Sequence, residues 1–213
     1  MMRRHPRDAF SLIELLVVIA IAAIVMSFAL PAFNSTMRGM QLTQGTQLMD
    51  AQLHLARQTA LTKNRPVEVR LYSYADPGAA GSSASYRALQ SFQMNDDGTF
   101  SAVGKVVILP DAIIIDSGAA LSSMIALAQP APNVPASSAG SALGATIPRV
   151  GTQYNSIAFH FLPDGSTNLP ATGQQWFFSL HYETLGNNLS ALPPNFATVQ
   201  IDPYNGQTRI FRP

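Results

Sequence analysis

Phe10-Ser11-Leu12-Ile13-Glu14 opens a stretch that continues as an apolar run from Leu15 to Leu30 and meets Pro31. Between Leu12 and Leu30 the one charged residue is Glu14. As a helix these nineteen residues rise about 29 Å, close to the thickness of the hydrocarbon core of a bilayer. The run is long enough to span a membrane or to form the buried stem of an assembly. A carboxylate near its start is unusual, because a charged side chain at the centre of a lipid-embedded helix costs roughly 2.5–3.5 kcal/mol or more. A plain anchor has no use for that cost, so Glu14 calls for a positively charged partner. An amine freed by cleavage is the nearest candidate.

Working outward, Arg7-Asp8-Ala9 precedes Phe10-Ser11-Leu12-Ile13-Glu14-Leu15-Leu16-Val17-Val18-Ile19-Ala20-Ile21. This segment resembles the processing motif of type IV pilins and pseudopilins. The resemblance implies that a prepilin peptidase cuts between Ala9 and Phe10 and that the new α-amine of Phe10 is N-methylated. It implies that Glu14 neutralises the amine of a neighbouring subunit, and that Pro31 holds the place of the family's usual proline. Ala9 stands where the family usually has glycine. The implied organisation is a leader over 1–9, a transmembrane or assembly helix over 10–36 and an α+β head over 37–213. The implied partners are other pilin or pseudopilin subunits, the prepilin peptidase and the bacterial inner membrane.

Two plainer readings stand beside this one. Arg3, Arg4 and Arg7, an apolar core and Ser27-Phe28-Ala29 have the order of a secretory signal peptide. Against it, Glu14 sits badly in such a core, and the apolar run exceeds the usual 7–15 residues or so. The other reading is an uncleaved anchor with no role in assembly. In all three the arginine-rich start stays cytoplasmic and the bulk of the chain crosses, with the head in the periplasm.

The 213 residues leave enough chain after this stretch for one domain with a real core. Thirteen Lys and Arg face twelve Asp and Glu; without Arg3, Arg4, Arg7 and Asp8 of the leader, ten face eleven. Bulk charge therefore gives no argument for nucleic acid. Cysteine is absent, which excludes disulfides, thiol catalysis and Cys-based metal sites.

Past Pro31, which removes one helical hydrogen bond and is expected to kink or loosen the helix, helical patterning resumes. Leu42, Met49, Leu53, Ala56 and Ala60 fall on one face, a stripe suited to a core. Gly39 and Gly45 weaken the middle by about 1 kcal/mol each. The helix is expected to stop near Lys63, with Asn64 as C-cap and Pro66 beyond. Leu55 to Val69 is similar to the helix end and first strand of H-type pseudopilins and related minor pilins. Gln58 to Tyr74 is also similar to a prepilin-like family called Verru_Chthon cassette protein D.

Beyond Pro66 the period becomes that of strands. Val67, Val69 and Leu71 alternate with Glu68, Arg70 and Tyr72, which predicts a half-buried strand. Further strands are expected over 86–94, 106–109, 112–115, 156–162, 175–183, 197–201 and 208–211. Asn95-Asp96-Asp97-Gly98-Thr99, Pro163-Asp164-Gly165-Ser166 and Asp202-Pro203-Tyr204-Asn205-Gly206 read as turns. Residues 117–151 are rich in Ala, Ser, Gly and Pro. Leu121, Met124, Ile125 and Ala128 suit one short helix there, and the remainder reads as a flexible insertion. The expected fold is α+β, a long N-terminal helix with an antiparallel sheet packed on its C-terminal half.

No catalytic motif is visible: there is no G-x-S-x-G, phosphate-binding loop or H-E-x-x-H. His54 is isolated, and His160 and His181 are expected at most as cross-strand neighbours, short of a metal site. Asn95-Asp96-Asp97-Gly98 lacks the rest of a calcium loop. Trp176, Phe177, Phe178 and Tyr182 read as core and strand face. Gly206-Gln207-Thr208-Arg209-Ile210-Phe211-Arg212 is partly similar to an arginine-bearing C-terminal motif by which some minor pilins bind DNA, with Gln207 in place of its first arginine. Arg209 and Arg212 are thus the candidate nucleic-acid contacts, with no net positive charge behind them. The leading expectation is a non-enzymatic structural minor pilin or pseudopilin of a type II secretion or type IV pilus-like machine, without cofactor. The alternatives are a DNA- or surface-binding minor pilin, and a membrane-anchored β domain that never polymerises.

Overall fold

The computed structural model describes residues 11–79, 81–126, 146–171 and 173–213, and of residues 28–35 the backbone alone. Helix α1 (Leu12–Lys63) leads into strands β1 (Val67–Tyr74), β2 (Ser85–Met94), β3 (Phe100–Ala102), β4 (Val107–Ile108) and β5 (Ile113–Ile115). A short helix α2 (Ser123–Ala126) follows, then β6 (Asn155–Phe161), β7 (Trp176–Tyr182), β8 (Ala197–Ile201) and β9 (Thr208–Phe211). The α+β class holds. The chain divides into two compact units, with the boundary in sequence between Met40 and Gln41.

In the first unit the backbone stays helical through Pro31, so the ring does not end the helix. The described side chains from Leu12 to Ser27 are exposed, Ala22 excepted. A helix that is apolar all round finds its cover outside its own chain segment.

In the second unit the expected stripe is buried: Leu42, Met49, Leu53, Ala56 and Ala60 belong to one core cluster with Val67, Val69, Phe159, Phe178, Leu180 and Val199. Gly45 explains itself here, because a Cβ on it would lie 3.3 Å from both Ile113 Cγ2 and Pro110 Cδ. The helix gives up propensity at this point and gains a close approach to β5. It ends as expected. Asn64 takes φ 52°, and the Arg65 N–H reaches back to the Ala60 carbonyl at 3.3 Å, the six-to-one bond of a Schellman motif.

The sheet runs β6-β1-β2-β5-β7-β8-β9, with β3 and β4 also paired to β2, and the strand pairs are antiparallel. Three expectations change. First, β1 is buried along its whole length, not on one face. It is an inner strand between β6 and β2, and Glu68 and Arg70 form an ion pair within it. Second, β3 was not anticipated; three residues after the Asn95–Thr99 turn are too few to show a period. Third, His160 and His181 are not neighbours: His160 pairs with Glu68 on β1, and His181 with Ile114 on β5.

The short helix expected within 117–151 is present as α2, with Leu121, Met124 and Ile125 buried. Ala128 and the expected flexible insertion up to residue 145 lie outside the described residues. Ile147 bridges Gly151 and joins Tyr72, Tyr74 and Ala88 in a second, smaller core.

Candidate functional site

The start of α1 is the first candidate. Its helical residues begin at Leu12, which makes Ser11 the N-cap. The Ser11 hydroxyl accepts the Glu14 N–H at 3.2 Å, and the Ser11 carbonyl accepts the same N–H at 3.1 Å. Ser11-x-x-Glu14 thus has the form of a capping box, a signal present in the sequence but not used there. It places Glu14 in the first turn, exposed, at the positive end of the helix dipole, where a carboxylate is favoured by about 0.3–1 kcal/mol. That term offsets only part of the cost of carrying the charge into lipid or into a bundle of stems. Ala9 and Phe10 lie outside the described residues, and at Pro31 only the helical backbone is described. Among the described residues no helix is long and apolar enough to cross a membrane. Described side chains in the apolar stretch stop at Ser27, after about 24 Å of rise, and the expected span to Leu30 runs past that point.

The two C-terminal arginines do not act together. Arg212 Nη1 donates to Thr43 Oγ1 on α1 at 2.8 Å. Arg209 stands opposite Gln200 in the β8–β9 pair. Beside them, Thr208 Oγ1 donates to Asp50 and lies 3.1 Å from His54 Nε2, while Arg57 Nε donates to the Asn205 carbonyl at 2.7 Å. The last hairpin is therefore fastened to the helix, and Arg212 takes part in the fastening.

The other residues singled out by type fall into structural roles. In the Asn95–Thr99 turn, hydrogen bonds from Thr99 hold the Asp97 carboxyl below its usual range. In the Asp164–Ser166 turn, Ser166 does the same for Asp164. Trp176, Phe178 and Tyr182 are core residues, and the Trp176 indole donates to the Pro170 carbonyl at 2.8 Å. Phe177 is half-buried on the other face of β7.

Two buried ionic groups were not foreseen. Glu68 is wholly buried between Arg70 and His160, and the Arg70 guanidinium lies 4.3 Å from the centre of the Phe92 ring. Burial pushes the Glu68 carboxyl up, but the hydrogen bond from His160 and the charge of Arg70 outweigh it, and the net shift is downward. His181, also wholly buried, has Nε2 2.9 Å from Asp116 Oδ2 and Nδ1 2.9 Å from the Tyr182 carbonyl. Both ring nitrogens thus lie within hydrogen-bonding distance of an oxygen. Asp116 also accepts the Gly118 N–H at 2.7 Å and the Leu189 N–H at 3.0 Å. Glu-x-Arg on one strand was the sole local signal for the first group; the second had none. Among the described residues no cluster of three or more His, Asp or Glu is placed to hold a metal ion.

With this geometry in hand, residues 4–30 match the family described as the prokaryotic N-terminal methylation motif. The match is consistent with the type IV pilin and pseudopilin family. It covers the apolar stretch, Ala9, Phe10 and Glu14, and ends before Pro31. No curated protein and no solved structure matches the chain.

Proposed function

We propose that the protein is a structural, non-enzymatic subunit of a pilus- or pseudopilus-type assembly, a minor pilin or pseudopilin of a type II secretion or type IV pilus-like machine. The observation that carries this reading is the methylation motif over 4–30 on a helix whose apolar side chains find no cover within residues 12–27. Prepilin peptidase removes residues 1–9 and Phe10 becomes the methylated N-terminus. Residues 10–36 anchor the precursor in the bacterial inner membrane, N-terminus inside, and later pack among the stems of other subunits. Residues 37–213 form the periplasmic head. The likeness of Leu55 to Val69 to H-type pseudopilins supports a minor subunit. Intact-mass and N-terminal sequencing of the protein from membranes of a host with a prepilin peptidase tests this. The expected product starts at Phe10 and carries one methyl group. A start at Met1, or one at Leu30 after a signal-peptidase cut, overturns it.

A further inference from the structure

Phe177, Gln200 and Arg209 form one cross-strand row over β7, β8 and β9. Their neighbours Trp176 and Ile201 face the core, so alternation puts the row on the opposite face of the sheet. At the end of this face the β8–β9 turn carries Tyr204, 72% exposed, its hydroxyl fixed to the Ala171 carbonyl at 3.0 Å. Gln200 and Arg209 of this row and Tyr204 line a groove of about 290 Å³, which Gln174, Gln175, Gln207 and Asp202 also line.

Two features define what this groove accepts. Among the described residues, no hydrogen bond or ion pair within the chain engages the side chains of Gln174, Gln175, Gln200, Gln207 or Arg209. Four amides therefore offer donors and acceptors side by side, the pattern that adjacent hydroxyls complete. The charges balance, one guanidinium against the Asp202 carboxylate, so the groove selects neither an anion nor a cation. An apolar ligand would strand the amides out of water, at a cost. The tethered Tyr204 ring adds a flat apolar platform with a polar tip. We propose that the groove binds neutral carbohydrate, with a sugar ring stacked on Tyr204 and its hydroxyls on the glutamines. This goes beyond the assembly role and does not depend on it.

The test uses the full chain in dodecyldimethylamine oxide, a detergent without a sugar headgroup, on an array of neutral and acidic oligosaccharides, with titration calorimetry on hits. The expected result is binding of at least one neutral oligosaccharide, weakened tenfold or more by both Tyr204→Ala and Gln200→Ala, and unchanged by Arg212→Ala. Thermal unfolding of each variant shows whether the fold is kept; Gln207→Ala replaces any that is not. Retention of no neutral oligosaccharide overturns the proposal. Equal binding by the groove variants overturns it too, as does binding confined to acidic sugars and abolished by salt, which would reduce the site to Arg209. Calorimetric binding of an extended alanine-threonine peptide in place of sugar makes the groove a peptide site and also overturns it.

Discussion

His160 Nε2 on β6 stands 3.1 Å from Glu68 Oε2 on β1, across a strand pair that puts the two residues directly opposite. Asn168 sets the direction of this contact. Its amide nitrogen, which can only donate, lies 3.3 Å from His160 Nδ1, so Nε2, the ring nitrogen on the side of the carboxylate, carries the proton. Arg70 engages the other carboxylate oxygen. The Glu68 carboxyl is therefore held below its ordinary value in the folded chain. A lowered folded pKa means the unfolded chain binds the proton more readily. The stabilisation is complete above the ordinary carboxylate range, about pH 4.3, and is lost as pH falls through the folded value. Glu68→Gln is expected to remove this part of the acid sensitivity and to cost about 3–5 kcal/mol near neutrality, because the buried Arg70 guanidinium loses the charge of its carboxylate. Urea unfolding at pH 7 and pH 4 reads both effects; an unchanged midpoint at pH 7 would contradict the pairing.

Asp116 gathers the His181 ring and two backbone N–H groups. Asp116→Ala orphans all three inside the protein. The expected loss is about 3–5 kcal/mol, larger than for Asp76→Ala, whose residue is half-buried. Denaturant midpoints of the two variants make the comparison.

Gly206 closes the β8–β9 turn at φ 64°, and a Cβ there would stand 2.4 Å from the Gly165 carbonyl and 3.0 Å from the Phe161 ring. Backbone and ring cannot both give way. Gly206→Ala should cost about 2–4 kcal/mol, from the left-handed conformation and the overlap together, visible as a fall in Tm. Gly98→Ala, at φ 77° but with nothing near its Cβ, should cost less.

Among the described residues the buried core begins at Leu42. Removing residues 1–37 is therefore expected to give a folded, β-rich, monomeric head. Circular dichroism and sedimentation check this. An unfolded product would mean that the stripe from Leu42 to Ala60 is not enough to seat the helix on the core.

Glu14→Ala should leave insertion and folding intact and impair incorporation into an assembly. The capping contacts of Ser11 involve the Glu14 backbone N–H and survive the change. What is lost is the carboxylate proposed to pair with the amine of a neighbouring Phe10. Site-directed cross-linking to partner subunits in membranes measures the difference, and equal yields would remove Glu14 from the assembly step. Ala9→Leu, which leaves Glu14 untouched, should block the cut and accumulate precursor.

The parts of the molecule written locally could be read from the chain. Asn64 followed by Pro66 marks the end of α1, the stripe Leu42 to Ala60 marks its buried face, and the β8 and β9 bounds fall where Ala197 to Ile201 and Thr208 to Phe211 alternate. The methylation motif is equally local. What could not be read depends on partners distant in sequence. Glu68 and Arg70 look like the wet face of a strand until His160, Phe92 and Phe100 are brought over them. The glutamine groove needs the register of three strands before Gln200 meets Arg209. Glu68 and Arg70 were misjudged because alternation reports polarity, and a satisfied ion pair is polar and buried at once.

The fastening of the last hairpin to α1 sets an order of events. Asp50, Thr43 and Arg57 wait for Thr208, Arg212 and the Asn205 carbonyl, partners roughly 150 residues further along the chain. Contacts of such long range form late. A nascent chain is threaded outward from its start, so the helix is delivered first and Thr43, Asp50 and Arg57 wait for the last hairpin. Closure of the clasp is thus timed by the arrival of the last hairpin. A chain that stops short of Thr208 has the greater part of the sheet over the stripe from Leu42 to Ala60 and still lacks the clasp.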